Sequence, residues 1–213
     1  MDTRIRVSIE QLMFYASRPD DIFTQAFAST VHNIALHGGL SAQSFGLSEN
    51  QFNCLIDRYF PGARRDLVVL AEICNDDTPC PSFREDEIQD LVSLLLEHRA
   101  SDSEETTWLA YALAMGCMGG NHLWQDMGLS GRQALSDLLK QNFTTLFDKN
   151  TGNMKWKKFF YKQLCDRAEV NLCKAPSCQV CDDYNKCFGP EDATGLGSLS
   201  VASGRAASEP QAV

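Results

Sequence analysis

Four cysteines lie close together near the C-terminus and could jointly hold a metal. They occupy a stretch of fifteen residues, with gaps of four, two and five residues between them: Cys173, Cys178, Cys181 and Cys187. The gaps are rich in polar residues such as Asp182, Asp183 and Asn185, so burial in an apolar core does not account for the thiols. Thiolates are soft ligands that suit zinc and iron–sulfur clusters. The pattern therefore predicts a metal site.

The spacing of these cysteines leaves the identity of the metal open. Structural zinc sites usually combine two paired knuckles, whereas only Cys178 and Cys181 form a C-x2-C pair here. The first three cysteines match the run found in plant-type two-iron ferredoxins, in which the fourth ligand is distant. In this chain Cys187 follows after only five residues. We therefore favour a compact cubane-type iron–sulfur cluster over a two-iron centre, with zinc as an alternative.

The other five cysteines give weaker signals. Three of them fall on or beside apolar helical positions and are predicted core residues: Cys54, Cys74 and Cys117. Cys80 lies between two prolines in a predicted loop. Cys165 ends the predicted helix that leads to the four-cysteine motif, where it could be a spare ligand, although the sequence does not favour that role.

Residue patterns typical of enzymes are missing from the sequence. It contains no Ser/His/Asp arrangement, phosphate-binding loop or HExxH motif. Among the four histidines, His122 in the segment GGNHLWQDMG is the strongest candidate for a functional role. A histidine that follows two glycines is nevertheless more often a helix-capping residue, and we interpret it mainly in that way.

Charge is distributed unevenly along the chain. Residues 1–139 carry 9 arginines, no lysine and 20 acidic residues, whereas all eight lysines lie at or after Lys140. Residues 140–174 carry 8 basic and 3 acidic residues. The net charge of -9 and the isoelectric point of about 4.9 argue against nucleic-acid binding. The sequence thus predicts a local basic region on an acidic protein.

The basic region includes three lysines spaced i, i+3 and i+7 on a predicted helix from about Met154 to Cys165: Lys155, Lys158 and Lys162. This spacing places them on one face of a helix. Because they directly precede the cysteine motif, they could attract an oxyanion and offset the negative charge of a thiolate-bound cluster. The alternative interpretation is an ordinary solvated face.

The rest of the sequence predicts a mainly α-helical fold. Apolar residues recur with helical spacing, including a helix that carries Leu135 and Leu138, and a helix around Trp108 that ends near Gly119. Four serine/Glx pairs resemble capping boxes: Ser48 with Gln51, Ser82 with Glu85, Ser101 with Glu104, and Ser130 with Gln133. Residues 1–189 are predicted to form a helical domain with a cysteine-rich loop at 173–187, followed by a disordered tail at 190–213. No segment resembles a membrane span or a secretion signal, so we expect a cytoplasmic protein with no membrane partner.

Three segments together carry a resemblance to a known family. NHLWQDMGL at 121–129, MKWKKFFYKQLC at 154–165 and the cysteine run that ends in CFGPE at 187–191 resemble the NifQ family of nitrogen-fixation proteins. The resemblance implies a carrier, not an enzyme. Such a carrier holds an iron–sulfur cluster that includes molybdenum, and supplies the molybdenum for the iron–molybdenum cofactor of nitrogenase.

The same resemblance implies the ligands and partners. The ligands carry over onto the four motif cysteines: Cys173, Cys178, Cys181 and Cys187. The implied partners are molybdate and the nitrogenase cofactor-assembly proteins, namely the cofactor scaffold and dinitrogenase reductase. Two alternatives stay open on the residues alone. One is a zinc- or iron–sulfur-binding redox or interaction module without molybdenum, and the other is an enzyme that uses the cluster for electron transfer.

Overall fold

The computed structural model of the chain describes residues 7–37, 45–65, 67, 85–169 and 184–191. In these ranges the protein is helical and contains no β-strand, which confirms the predicted mainly α-helical fold. Most of the predicted cysteine-rich loop and of the predicted tail lies outside the described residues. The helices are α1 (Ile9–Tyr15), α2 (Ile22–His37), α3 (Glu49–Tyr59), α4 (Glu85–Glu97), α5 (Glu104–Cys117), α6 (Leu123–Asp126), α7 (Arg132–Asn142), α8 (Thr144–Lys149), α9 (Trp156–Arg167) and α10 (Tyr184–Phe188). None of them is long and apolar enough to cross a membrane.

Helix α5 forms the centre of the fold. It is apolar on all sides beyond its first turn, and Trp108, Leu109 and Leu113 are completely buried. A helix of this kind must be covered by neighbours on several faces, and α2 and α4 pack against it. The alanines of α5 at 110, 112 and 114 are also fully buried. The other helices are arranged around this core.

The helix starts confirm one of the four expected capping boxes and correct two. Ser48 caps α3 together with Gln51, as predicted. Helix α5 is capped by Ser103, whose Oγ accepts from the Thr106 amide at 3.1 Å, and not by Ser101. This later start leaves Asp102 outside the helix, where it pairs with Arg99. The Ser82 pair begins outside the described residues.

The fourth expected box, at the start of α7, is also wrong. Gly131 is the N-cap residue, in an extended conformation, and Ser130 lies one residue before it. The Gln133 side chain does not reach back to the start of α7 but donates to Asp137 Oδ1 at 2.9 Å. Local spacing identified the helix correctly and misplaced its cap by one residue.

Two cysteine predictions have opposite outcomes. Cys117 is buried at the end of α5, as expected, and burial raises the pKa of its thiol to about 12. Cys54 is exposed, so its predicted place in the core is wrong. It lies on the solvent side of α3, whose other face buries Leu55, Ile56 and Tyr59. Cys74 and Cys80 fall outside the described residues.

Helix α9 packs against α4, α7 and α8. The helix predicted from about Met154 to Cys165 is observed as α9, and the predicted Leu135/Leu138 helix is α7. Trp156 fills the junction between them: its ring stacks on Phe147 with centroids 5.8 Å apart, and its Nε1 donates to Ser136 Oγ at 3.1 Å. On the other side, Tyr161 Oη donates to Glu87 Oε1 of α4 at 2.5 Å. The N-terminal half of α9 is therefore anchored to the rest of the helical domain.

Candidate metal centre

Cys187 is the motif cysteine that the structure places. It lies on α10, half buried against the core. The backbone amide of Lys155, at the start of α9, donates to the Cys187 carbonyl at 2.8 Å, and Lys155 Nζ donates to the Asn185 carbonyl at 3.3 Å. The chain thus leaves α9 at its C-terminal end and is held again, at Cys187, beside its N-terminal end.

The other three motif cysteines lie outside the described residues: Cys173, Cys178 and Cys181. Within the described ranges, no three His, Cys, Asp or Glu side chains come together in a group that could hold a metal ion. The four-thiolate site therefore stays a prediction. Thiolate donors suit a metal, and the Cys187 thiol is only half buried.

Helix α10 is attached to the helical domain at further points. Within α10, Tyr184 and Phe188 stack with ring centroids 4.6 Å apart. Phe188 in turn lies close to Gly152, where an added Cβ would be 3.3 Å from its ring. Glu191 forms an ion pair with Arg132, and only 5% of its side chain is exposed. The expected tail boundary at 190 thus lies just before a well-packed residue, and residues 192–213 are outside the described chain.

The three lysines of the predicted basic face have different surroundings. Lys155 is the N-cap of α9 and not part of the helix, because its backbone is extended (φ -54°, ψ 131°). Lys158 is exposed and forms no ion pair with any described residue. Lys162 pairs with Asp166 one turn later, at 2.7 Å. Of the three, Lys155 contacts the Cys187 segment, and the role of all three in attracting an oxyanion stays a prediction.

A buried ion pair next to this face was not foreseen from the sequence. Lys157 Nζ lies 2.5 Å from Asp126 Oδ2 and donates to the Gly119 carbonyl at 2.8 Å. Only 17% of the Lys157 side chain and 8% of the Asp126 side chain are exposed. Asn121 completes the site, because its backbone amide and its side-chain amide donate to the two carboxylate oxygens at 3.1 and 3.0 Å.

This ion pair gives Lys157 a structural role. In the sequence, Lys157 is one of the basic residues at 140–174, and nothing there separates it from its exposed neighbour Lys158. The available signal was that Asp126 and Lys157 lie in NHLWQDMGL and MKWKKFFYKQLC, two of the segments that resemble one family. Their contact joins these two segments in the folded protein.

The two remaining candidate residues are His122 and Cys165. His122 is the N-cap residue of α6, as interpreted from the sequence, and its backbone amide donates to Gln125 Oε1 at 3.1 Å. Its Nδ1 lies 3.9 Å from Glu191 Oε2. Cys165 is half buried in the last turn of α9.

Comparison with known proteins decides the family. The NifQ family model matches residues 26–189, a range that includes all four motif cysteines and both members of the buried ion pair. The chain belongs to the NifQ family. The protein NifQ of Azotobacter vinelandii is 41% identical over 160 residues, which cover 72% of this chain and 82% of that protein. The protein NifQ of Rhodobacter capsulatus is 38% identical over 154 residues, covering 72% of this chain and 80% of the relative.

A NifQ homolog of Sinorhizobium fredii is more distant and covers more of the chain. It is 31% identical over 185 residues, which are 87% of this chain and 78% of that protein. No solved structure shows significant similarity to this chain. Membership of the NifQ family places the protein in nitrogen fixation, in an accessory role, and none of these relatives is named as an enzyme.

Proposed function

We propose that this protein is a metal-cluster carrier that supplies molybdenum for the iron–molybdenum cofactor of nitrogenase. The observation that supports this function best is the position of Cys187. Its backbone is held by Lys155, directly beside the lysine-bearing helix α9. Cys173, Cys178 and Cys181 therefore lie, in sequence, between the C-terminal end of α9 and Cys187, which is held beside the N-terminal end of the same helix.

The donor set suits an iron–sulfur cluster that contains molybdenum. Four thiolates can each bind one metal corner through sulfur: Cys173, Cys178, Cys181 and Cys187. Soft sulfur ligands favour iron in sulfide surroundings over hard cations. When bound, the cluster supplies a sulfur-rich position in which molybdenum is held and from which it is later released.

The lysines would attract the incoming metal in its soluble form. Molybdate is a dianion, and a protein with a net charge of -9 repels it at long range. Lys158 is exposed, and Lys155 lies next to Cys187. Lys162 lies about two turns beyond Lys155 on α9 and pairs with Asp166. Local positive charge from these three residues would lower the repulsion near the cysteines, both for molybdate and for an anionic cluster.

Release of molybdenum must leave the remaining metals in place. We propose that three of the four cysteines hold iron firmly and that the fourth corner is exchangeable. Asp182 and Asp183 lie between Cys181 and Cys187 in sequence and offer hard oxygen atoms next to a soft site. The receiving partners would be the cofactor scaffold and dinitrogenase reductase, in the cytoplasm. The protein itself would carry out no catalytic reaction.

Metal analysis of protein purified without oxygen tests this function. We expect brown protein that contains iron, sulfide and molybdenum. X-ray absorption at the molybdenum edge should show sulfur neighbours, with iron as a second shell. Oxygen neighbours alone would mean that the protein binds molybdate without a mixed-metal cluster. Colourless protein that contains zinc, or an iron–sulfur protein that never takes up molybdenum, would point to a redox or interaction module.

A further inference from the structure

Arg132, in the first turn of α7, contacts two separate segments of the chain. Its Nη1 pairs with the carboxylate of Glu191. Its Nη2 donates to the Asn153 carbonyl at 3.1 Å, to Asn153 Oδ1 at 2.9 Å and to the Met154 carbonyl at 2.8 Å. One guanidinium group therefore joins the segment that leads into α9 and the segment that follows α10.

These two segments lie on either side of the contact that holds Cys187. Asn153 and Met154 directly precede Lys155, whose amide donates to the Cys187 carbonyl. Glu191 follows Cys187 by four residues. The position of the Cys187 backbone thus depends on a hydrogen bond between two segments of the chain, and Arg132 contacts both segments.

The turn before Lys155 is itself well defined. Asn150 closes it, because its Nδ2 donates to the Met154 carbonyl at 2.9 Å and its Oδ1 accepts from the Met154 amide at 2.8 Å. Asn153 adopts a left-handed conformation within it (φ 53°). The turn presents two carbonyl oxygens and the Asn153 side-chain oxygen to Arg132, and these acceptors have fixed directions.

Arginine is suited to this position for geometric reasons. Its planar group has donors that point in different directions, so it can pair with a carboxylate and donate to carbonyls at the same time. The Glu191 side chain is 5% exposed and that of Arg132 is 22% exposed. Loss of the arginine would leave a nearly buried carboxylate without its cation, which favours detachment of the segment from the domain.

We propose that Arg132 is a positioning residue for the Cys187 thiolate. It holds α10 on the helical domain through Glu191, and it holds the turn at 153–154 that presents the Lys155 amide. The expected effect of Arg132 on metal binding rests on the proposed function, in which Cys187 is a ligand. The expected effect of Arg132 on the position of Cys187 is independent of that function.

Site-resolved alkylation of the full-length, metal-free protein tests the positioning directly. We expect Arg132→Gln and Glu191→Gln to raise the alkylation rate of Cys187 at least about tenfold, since the α10 attachment opens more often. Lys155 amide exchange should become faster in the same two variants. Arg64→Gln is the matched control, because Arg64 also combines a carboxylate partner, Asp57, with a carbonyl partner, that of Asn53. It should leave Cys187 unchanged.

Metal retention is then measured on anaerobically loaded protein in the presence of a chelator. Faster iron loss in Arg132→Gln than in Arg64→Gln would support the inference. If the parent holds metal and Arg132→Gln matches it in both alkylation and retention, the positioning role is wrong and the proposed function survives. If the parent binds neither iron nor molybdenum while Cys187 still becomes more reactive, the proposed function is wrong and the positioning of Cys187 stands.

Discussion

Gly119 and Asp126 are packed so closely that no side chain fits at residue 119. A Cβ atom added to Gly119 would lie 2.4 Å from Asp126 Cγ and 2.4 Å from Asp126 Oδ2. The carboxylate has little freedom to move away, because Lys157 and Asn121 hold both of its oxygen atoms. The glycine therefore makes room for the buried ion pair that joins α6 to α9.

We expect Gly119→Ala to destabilise the protein by about 2 kcal/mol, because the added methyl group must displace a fixed carboxylate. Gly120→Ala is the matched control, since a Cβ atom there would have no neighbour within 4 Å. Chemical denaturation of the two variants, compared with the parent, measures the difference. Equal stability of both variants would show that Asp126 can shift without cost.

Removal of the Lys157 charge should destabilise the protein more than removal of the Lys158 charge. Lys157→Met leaves the Asp126 carboxylate buried without its cation, and we expect a loss of about 3 kcal/mol in the free energy of unfolding. Lys158→Met is the control, because that side chain is exposed. A thermal melt of each variant checks the prediction, which fails if the two substitutions have the same effect.

The sequence predicted the longer helices, but neither the short helices α1, α8 and α10 nor the contacts between helices. Periodic apolar residues identified α7 and α9 correctly, since burial of one helix face is a local pattern. The Asp126–Lys157 pair and the Arg132–Glu191 pair join residues 31 and 59 positions apart. No local pattern encodes such pairings. Cap positions at 103 and 131 were missed by one or two residues because several neighbouring residues were able to serve.

Alkaline pH should destabilise the protein partly through Cys117. Burial raises the pKa of this thiol from 9.0 to about 12. Between those values the unfolded chain has lost a proton that the folded chain keeps, so the free energy of unfolding falls as pH rises, by up to about 1.4 kcal/mol for each pH unit. Tyr59, whose pKa burial also raises to about 12, adds a parallel fall above pH 10.

Cys117→Ala should therefore make the pH dependence of stability shallower above pH 9. Urea denaturation of reduced, metal-free protein at several pH values measures the slope, which is independent of the packing cost of the substitution. Cys54→Ala is the control, because that thiol is exposed. Identical slopes for the two variants would mean that Cys117 ionises in the folded state as readily as in the unfolded one.

Molybdate uptake should depend on the exposed lysines of α9. We expect Lys158→Gln to lower uptake about threefold at low salt, since one exposed charge contributes up to about 1 kcal/mol. High salt should weaken uptake by the parent. Lys140→Gln is the matched control, an exposed lysine on α7. Uptake by Lys158→Gln that equals the parent's at every salt concentration would reduce the basic region to a solvated surface.

Serine substitutions of the four motif cysteines should have unequal effects. Three should lose the iron chromophore, and one should keep iron but fail to retain molybdenum. We expect Cys187→Ser to be among the three, because the Lys155 amide fixes its backbone. Iron and molybdenum content of each variant is compared with Cys54→Ser, which should bind both metals normally. Four equal losses would contradict an exchangeable corner.

The buried apolar core has a consequence for the protein in its metal-free state. Its described residues run from Val7 to Phe160, and every one of them precedes Cys173. The fully buried part of the core, as far as the structure describes it, therefore contains none of the four motif cysteines. Small zinc domains, by contrast, unfold when their metal is removed. If the protein carries a metal cluster as proposed, we expect the helical domain to keep its fold when the cluster is removed, so that one polypeptide could be refilled for many rounds.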